Sequence, residues 1–287
     1  MRIFDCHSHW STEKGYLFRT PEDLASQERI WKTKPEYLTE QQQADYFRRS
    51  GVRTILDMGW ISTLPLDELK QYHDYMFAVQ RAHPDVIFGH WINIDPSLGK
   101  DAIREFERCL GAGGGFVALS IFGQGWGRPP TDPIWDPYYK ISIDAGTPIM
   151  IHTGLTGVGQ GMRGGKGIIN DHAHPRHIDE VAARFPDLDI LAARPSYPWQ
   201  EEMIAVMLHK ANVQYELHGW SPKYLSDSLK KEIRGRLQDR VMFGCDFPVL
   251  KYEKIAADWQ TLGYSDAILE KIFYKNAEAY FPGAAHV

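Results

Sequence analysis

Residues 2–9 read RIFDCHSH, and Trp10 comes next. An apolar start leads into Asp5, His7 and His9 at alternating positions. Residues two apart on a strand share a face, so the spacing predicts Asp5, His7 and His9 on one side, with Phe4, Cys6 and Ser8 on the other. The residues at the end of the first strand distinguish two α/β architectures. A doubly wound, nucleotide-binding sheet carries a glycine fingerprint there, whereas this chain carries His-Ser-His. Two imidazoles near the C-terminal end of a strand are placed to reach one metal ion at the mouth of a barrel.

Seven further runs read as strands: RTILDMGW (53–60), IFGHWINI (87–94), GFVALSIF (115–122), TPIMIHTG (147–154), LDILAARP (188–195), VQYELHGW (213–220) and RVMFGCDF (240–247). Several are apolar without strict alternation, as strands covered on both faces are. Helix signals separate them. Residues 64–84 carry Leu66, Leu69, Met76 and Val79 and stop at Pro84. WDPYYKISIDAG offers Asp136 as N-cap and Gly146 as stop. HPRHIDEVAARFP opens on Pro175. SPKYLSDSLKKEIRGRL predicts one helix capped by Ser221, and another is expected from Ser265. Eight strand–helix units in 287 residues predict a (β/α)₈ TIM barrel. Neither an internal repeat nor a linker-like change of composition interrupts the chain, so residues 1–287 are expected to form one domain. Two long connections, 10–52 and 155–174, would rise over the C-terminal face. The second is glycine-rich but lacks the G-x-x-x-x-G-K-[ST] spacing of a phosphate cradle, so it reads as a flap.

Composition excludes several classes. Net charge is −5 with acids and bases interspersed, which leaves no basic stripe for nucleic acid. No apolar run reaches the roughly 20 residues of a membrane span, and the start has no basic-then-apolar signal. Cys6, Cys109 and Cys245 are odd in number and far apart, which fits a reducing compartment. The expectation is a cytoplasmic protein acting on a small molecule.

Two more strand tips end in one metal-ligand type of residue after an apolar run: His152 in TPIMIHTG and Asp246 in RVMFGCDF. With His7 and His9 they form a three-histidine, one-aspartate set. That set suits one divalent ion, Zn²⁺ first and Mn²⁺ as the alternative. Taken singly, His152 also reads as a hydrogen-bonded core histidine and Asp246 as a helix cap. In NDHAHPRH, His174 or Asp171 is expected to cap the helix at Pro175 and His172 to lie near the pocket rim, in preference to a second metal site.

DCHSH, IHTG, DEVAARFPDL, YPW, GWSPKY, FGCDFP and KNAEAYF together resemble the amidohydrolase superfamily, in its amidohydrolase 2 branch. That branch includes aminocarboxymuconate semialdehyde decarboxylase, resorcylate-type decarboxylases and various hydrolases. The resemblance implies a distorted (β/α)₈ barrel, a homodimer, and one metal held by His7, His9, His152 and Asp246, with Asp246 also serving as acid/base.

Two positions depart from the family pattern. The strand-6 histidine is replaced by Arg194, which stays protonated and cannot act as an ordinary base but can grip a carboxylate or a developing oxyanion. Alternatively, Arg194 pairs with an acid such as Asp5 or Glu216. His218 stands where a small residue is usual and is expected to supply the missing proton transfer. Catalysis is therefore assigned to Asp246, Arg194 and His218, and substrate contact to Trp10, Trp60, Trp126, Arg194, Tyr197 and Trp220. Further pocket-lining candidates are Trp91 and Phe122. The leading expectation is hydrolysis of a small carboxylated or aromatic lactone or amide by a metal-activated water. Non-oxidative decarboxylation of an aromatic or muconate-like acid is the alternative, and a ligand-binding barrel that has lost catalysis is the second.

Overall fold

The computed structural model describes residues 1–113 and 115–284, so the last three residues of the expected domain lie outside it. Eight parallel strands lie side by side in sequence order: β1 (Ile3–His9), β2 (Val52–Asp57), β3 (Ile87–Ile92), β4 (Phe116–Ile121), β5 (Ile149–His152), β6 (Ile190–Ala193), β7 (Val213–Glu216) and β8 (Val241–Met242). Helices separate them, and the arrangement is a TIM barrel. A doubly wound sheet would reverse its strand order, and this one does not.

One or two apolar residues from nearly every strand fill the barrel: Phe4, Cys6, Ile55, Trp91, Ala118, Met150, Leu191, Ala193 and Met242. Phe281, from the C-terminal segment, packs against this interior group. A larger apolar layer, including Phe47, Met76, Phe106, Tyr139, Val181 and Trp259, joins the sheet to the helices. Large rings on both sides explain why the strands read as continuous apolar runs rather than alternating ones.

The barrel closes irregularly. β8 is two residues long, not the eight of RVMFGCDF, because residues 243–247 meet β1 through scattered bonds instead of a ladder. Cys6 N donates to Phe243 O at 3.0 Å, Asp246 N to His7 O at 3.0 Å and His9 N to Phe247 O at 2.6 Å. The Asp5 carboxylate accepts from Cys245 N at 2.9 Å.

The alternation expected over residues 5–9 fails as well. The β1–β2 register shifts between Asp5 and Ser8. Asp5 and Ser8 turn together toward Tyr252, Cys6 points inward to Met242, and His7 and His9 stand at the mouth.

Two capping expectations are corrected. Asp136 opens its helix, Asp136–Ala145, but Trp135 is the N-cap residue, and the Asp136 carboxylate pairs with Arg184. The single helix expected from Ser221 is two elements: a 3₁₀ turn, Pro222–Tyr224, capped by Ser221, and a helix, Asp227–Arg234, capped by Ser226. His174 caps the helix Pro175–Arg184 by accepting from Arg176 N. No described helix is long and apolar enough to cross a membrane. All three cysteines are buried and free.

Candidate metal centre and active site

The strand ends bring His7, His9 and Asp246 together. One ligand atom from each lies within 4.8 Å of the other two. His9 Nε2 stands 3.3 Å from His7 Nε2 and 3.1 Å from Asp246 Oδ1. Ligands about 2.0–2.1 Å from a common cation lie about 3.0–3.4 Å apart, so these spacings match a shared ion. His152 joins through His7: one atom each of His7, Asp57 and His152 forms a second group of the same tightness. The His152 ring meets the His7 ring edge-on at 5.4 Å.

Unpaired atoms give an independent test of fit. His7 Nδ1, His152 Nδ1, Asp57 Oδ2 and Arg194 Nη1 are buried without a hydrogen-bond partner. A buried polar atom left unsatisfied costs about 1–3 kcal/mol, so four among the residues of this mouth mark a site shaped for a charged guest. These residues fit a divalent cation and an anionic ligand.

Electrostatics agree. Burial first, then the neighbouring imidazoles His218, His9 and His152, push the His7 ring well below its ordinary range, which leaves it neutral and able to ligate. Burial and then Arg194 do the same to His152. Burial would raise Asp246, but the His9 hydrogen bond and the electrostatic pull of the neighbouring imidazoles and Arg194 outweigh it and hold the carboxylate at about 2. His9 goes the other way: burial lowers it, while Asp246 and Asp57 prevail and raise it.

Arg194 and His218 form a chain with Glu216. Arg194 Nε donates to His218 Nε2 at 2.9 Å, and His218 Nδ1 bonds the Glu216 carboxylate. Arginine has only donors, so Nε2 is the accepting nitrogen and the ring proton sits on Nδ1, facing Glu216. The His218 ring stacks on His7 at 3.8 Å between centroids. Glu216 fits because position 244 has no side chain: a Cβ there would stand 2.3 Å from Glu216 Oε2. Of the two acids offered as direct partners for Arg194, Glu216 is reached through His218. Asp5 is occupied elsewhere, by His7 N, Ser8, Thr54, Cys245 N and Tyr252.

Backbone strain collects at the same mouth. Arg194 (φ 77°), Ser196 (φ 54°) and Asp246 (φ 70°) are three of the five described non-glycine residues at positive φ, a conformation that costs energy and persists where function requires it.

Above the ligand group lies a cavity of about 660 Å³. Arg194 and Asp246 line it together with Phe18 and Trp31 from the 10–52 connection, Leu155 and Val158 from the 155–174 connection, and Trp220 and Tyr224. Both long connections therefore cover the active face. Of the six residues expected to touch substrate, Arg194 and Trp220 line this cavity and four do not. Trp10 is core, stacked on His90 at 5.4 Å. Trp60 lies under Arg19, 4.1 Å from its guanidinium. Trp126 packs against the outer core. Tyr197 is 48% exposed and leans on Trp220 from outside. Trp91 fills the barrel, donating to Cys6 O, while Phe122 stands 5.6 Å from His152, ring to ring.

Sequence reading passed over Asp57. It ends RTILD, one acid at the tip of an apolar strand, the same signal that singled out His152 and Asp246. Its backbone carbonyl lies 3.1 Å from His9 Nδ1 and fixes that ring. Ser120, 3.1 Å from His152 Nε2, carried no such signal.

The family model described as "Amidohydrolase" matches residues 4–283. The chain belongs to the amidohydrolase family, whose members are metal-dependent decarboxylases and hydrolases. No relative among curated proteins matches the sequence.

Solved structures share the fold at low identity. An uncharacterised TIM-barrel protein of Bordetella bronchiseptica is 20% identical with a TM-score of 0.74, over 98% of each chain. A 5-carboxyvanillate decarboxylase of Novosphingobium aromaticivorans, bound to manganese and a nitrobenzoic acid, is 16% identical with a TM-score of 0.69, over 98% of this chain and 96% of that one. A probable 2-pyrone-4,6-dicarboxylic acid hydrolase of Acinetobacter baumannii is 12% identical with a TM-score of 0.62, over 98% and 99%.

Proposed function

We propose that this enzyme is a non-oxidative decarboxylase of an aromatic acid bearing a hydroxyl beside the carboxylated carbon. His7, His9, His152 and Asp246 would hold one divalent cation, Mn²⁺ or Zn²⁺. When bound, the cation supplies positive charge that draws electrons toward a substrate oxygen. The observation that carries the reading is the engagement of His218. Both its ring nitrogens are taken, one by Arg194 and one by Glu216, so the assisting proton transfer expected of it is not open and Asp246 is left to act as the acid/base.

The remaining roles follow from charge. Asp246, ionised in the free site, takes the proton of the substrate hydroxyl. Asp246 then delivers that proton to the carboxylated ring carbon, which becomes tetrahedral. The carbon–carboxyl bond breaks, CO₂ leaves, and the bond's electron pair restores the aromatic ring and places negative charge on the substrate oxygen. Arg194 acts best on the oxygen that gains negative charge in the transition state. Gripping the departing carboxylate would stabilise the ground state instead. Apolar walls of the cavity favour conversion of a charged carboxylate into neutral CO₂.

The ionised Asp246 also supports a second reading, hydrolysis, in which it accepts a proton from water. The test is product analysis with the chain loaded with Mn²⁺ or Zn²⁺. 2,6-Dihydroxybenzoate and 5-carboxyvanillate are assayed for CO₂ release, and 2-pyrone-4,6-dicarboxylic acid for ring opening. CO₂ release is expected. Ring opening without CO₂ release from either acid would replace decarboxylation with hydrolysis.

A further inference from the structure

We infer that the site is built for an acid with two aromatic units: a carboxylated ring at the Arg194–Asp246 end and a second ring at the rim beside Trp31, Trp220 and Tyr224. The identity of the first ring rests on the decarboxylase reading. The second ring is argued from the cavity alone.

Size comes first. The space of about 660 Å³ is continuous from Arg194 and Asp246 out to Trp31 and Tyr224. Pockets of this order hold drug-sized molecules, and a single-ring acid fills only the inner part.

Charge comes second. Arg194, deep in the cavity, has an unpaired buried Nη1. The lysines that reach the rim already face acids: Lys254 Nζ lies 2.8 Å from Asp258, and Lys251 Nζ 3.4 Å from Glu36. One anionic group therefore belongs at the inner end, and an uncharged body beyond it.

The rim is aromatic. Tyr224 is 70% exposed although it lines the cavity, and its ring meets that of Trp220 edge-on at 6.4 Å. Trp220 is in turn backed by Tyr197 at 5.3 Å. In the same lining, Trp31 lies against Phe18 at 5.2 Å. Trp31 can sit there because residue 157 is glycine: a Cβ would come within 2.4 Å of its ring. Rings placed this way offer edges and faces to another ring, which gains beyond its buried area.

The test is calorimetric binding to the Mn²⁺-loaded chain. The probes are 2-hydroxybenzoate, its 4-phenyl and 5-phenyl derivatives, and the corresponding butyl derivatives. At least one phenyl acid is expected to bind roughly tenfold more tightly than the parent, and the phenyl-to-parent ratio is expected to fall toward one in Tyr224→Ala and in Trp220→Ala. The inference is overturned if neither phenyl acid gains affinity or if no acid binds. It is equally overturned if the butyl acids match the phenyl acids, or if the ratio survives both substitutions. CO₂ release from the parent acid is measured separately. Its absence counts against decarboxylation and leaves the affinity ratios to decide the second ring.

Discussion

Arg194 has one guanidinium and two directions to serve. Its Nε is committed to His218, and its Nη1 is buried without a partner. Lysine has a single nitrogen on a flexible stem and cannot do both. Arg194→Lys is therefore expected to lower kcat/KM for the decarboxylated acid by about 10–100-fold, with bound metal unchanged. A near-normal rate would reduce Arg194 to a scaffold. At this scale one polar residue ending an apolar strand pointed to His7, His9, His152 and Asp246, which the fold brings to one mouth, although the same signal at Asp57 went unread. The Arg194–His218–Glu216 chain was not legible. It depends on the positive φ of Arg194 and the bare backbone at Gly244, neither of which follows from residue type. Trp220 apart, the aromatic residues expected to touch substrate lie outside the cavity for a related reason. Trp10 and Trp91 gain more from complete burial than from lining a cavity, and sequence distance from a strand end does not reveal which way a ring turns.

Among the elements, the junction of β1 with residues 243–247 decides whether the ligands meet. His7 and His9 come from one side and Asp246 from the other, and Asp5 ties the two together. Its carboxylate accepts from His7 N at 3.1 Å, Cys245 N at 2.9 Å, Thr54 Oγ1 at 3.0 Å and Tyr252 OH at 2.6 Å. Burial, opposed by these bonds, pushes the Asp5 carboxyl up to about 6. Asp5→Asn places an amide donor among groups that themselves donate. It is expected to cost about 2–4 kcal/mol in denaturant unfolding and to weaken metal binding. Unchanged stability would show that the junction holds without Asp5. The sequence suggested a regular strand over 240–247, since its apolar run is continuous. The bonds that break the ladder are long-range, to a carboxylate some 240 residues earlier.

For the molecule as a whole, eight apolar runs spaced by helix signals were enough to read the barrel, because each strand is covered on both faces. Stability away from the mouth depends on a second buried polar group. His73 Nδ1 lies 2.6 Å from Glu105, and Arg108 grips the same carboxylate with two bonds of 2.7 Å. Burial alone would raise Glu105. Arg108 and His73 outweigh it and hold the carboxyl at about 2. A group depressed in the fold stabilises it fully above its unfolded value, near 4.3, and loses that contribution as pH falls toward 2. Glu105→Gln is therefore expected to remove about 2–3 kcal/mol at pH 7 and nearly nothing at pH 2, by denaturant unfolding at each pH. An equal loss at both would contradict the linkage. The central claim is that His7, His9, His152 and Asp246 share one cation, and Mn²⁺ titration followed by electron paramagnetic resonance tests it without reference to substrate. The account predicts one tight equivalent per chain, weakened at least about 100-fold in each of His7→Ala, His9→Ala, His152→Ala and Asp246→Ala. Undiminished binding in any of the four, or no tight binding in the native chain, would contradict it.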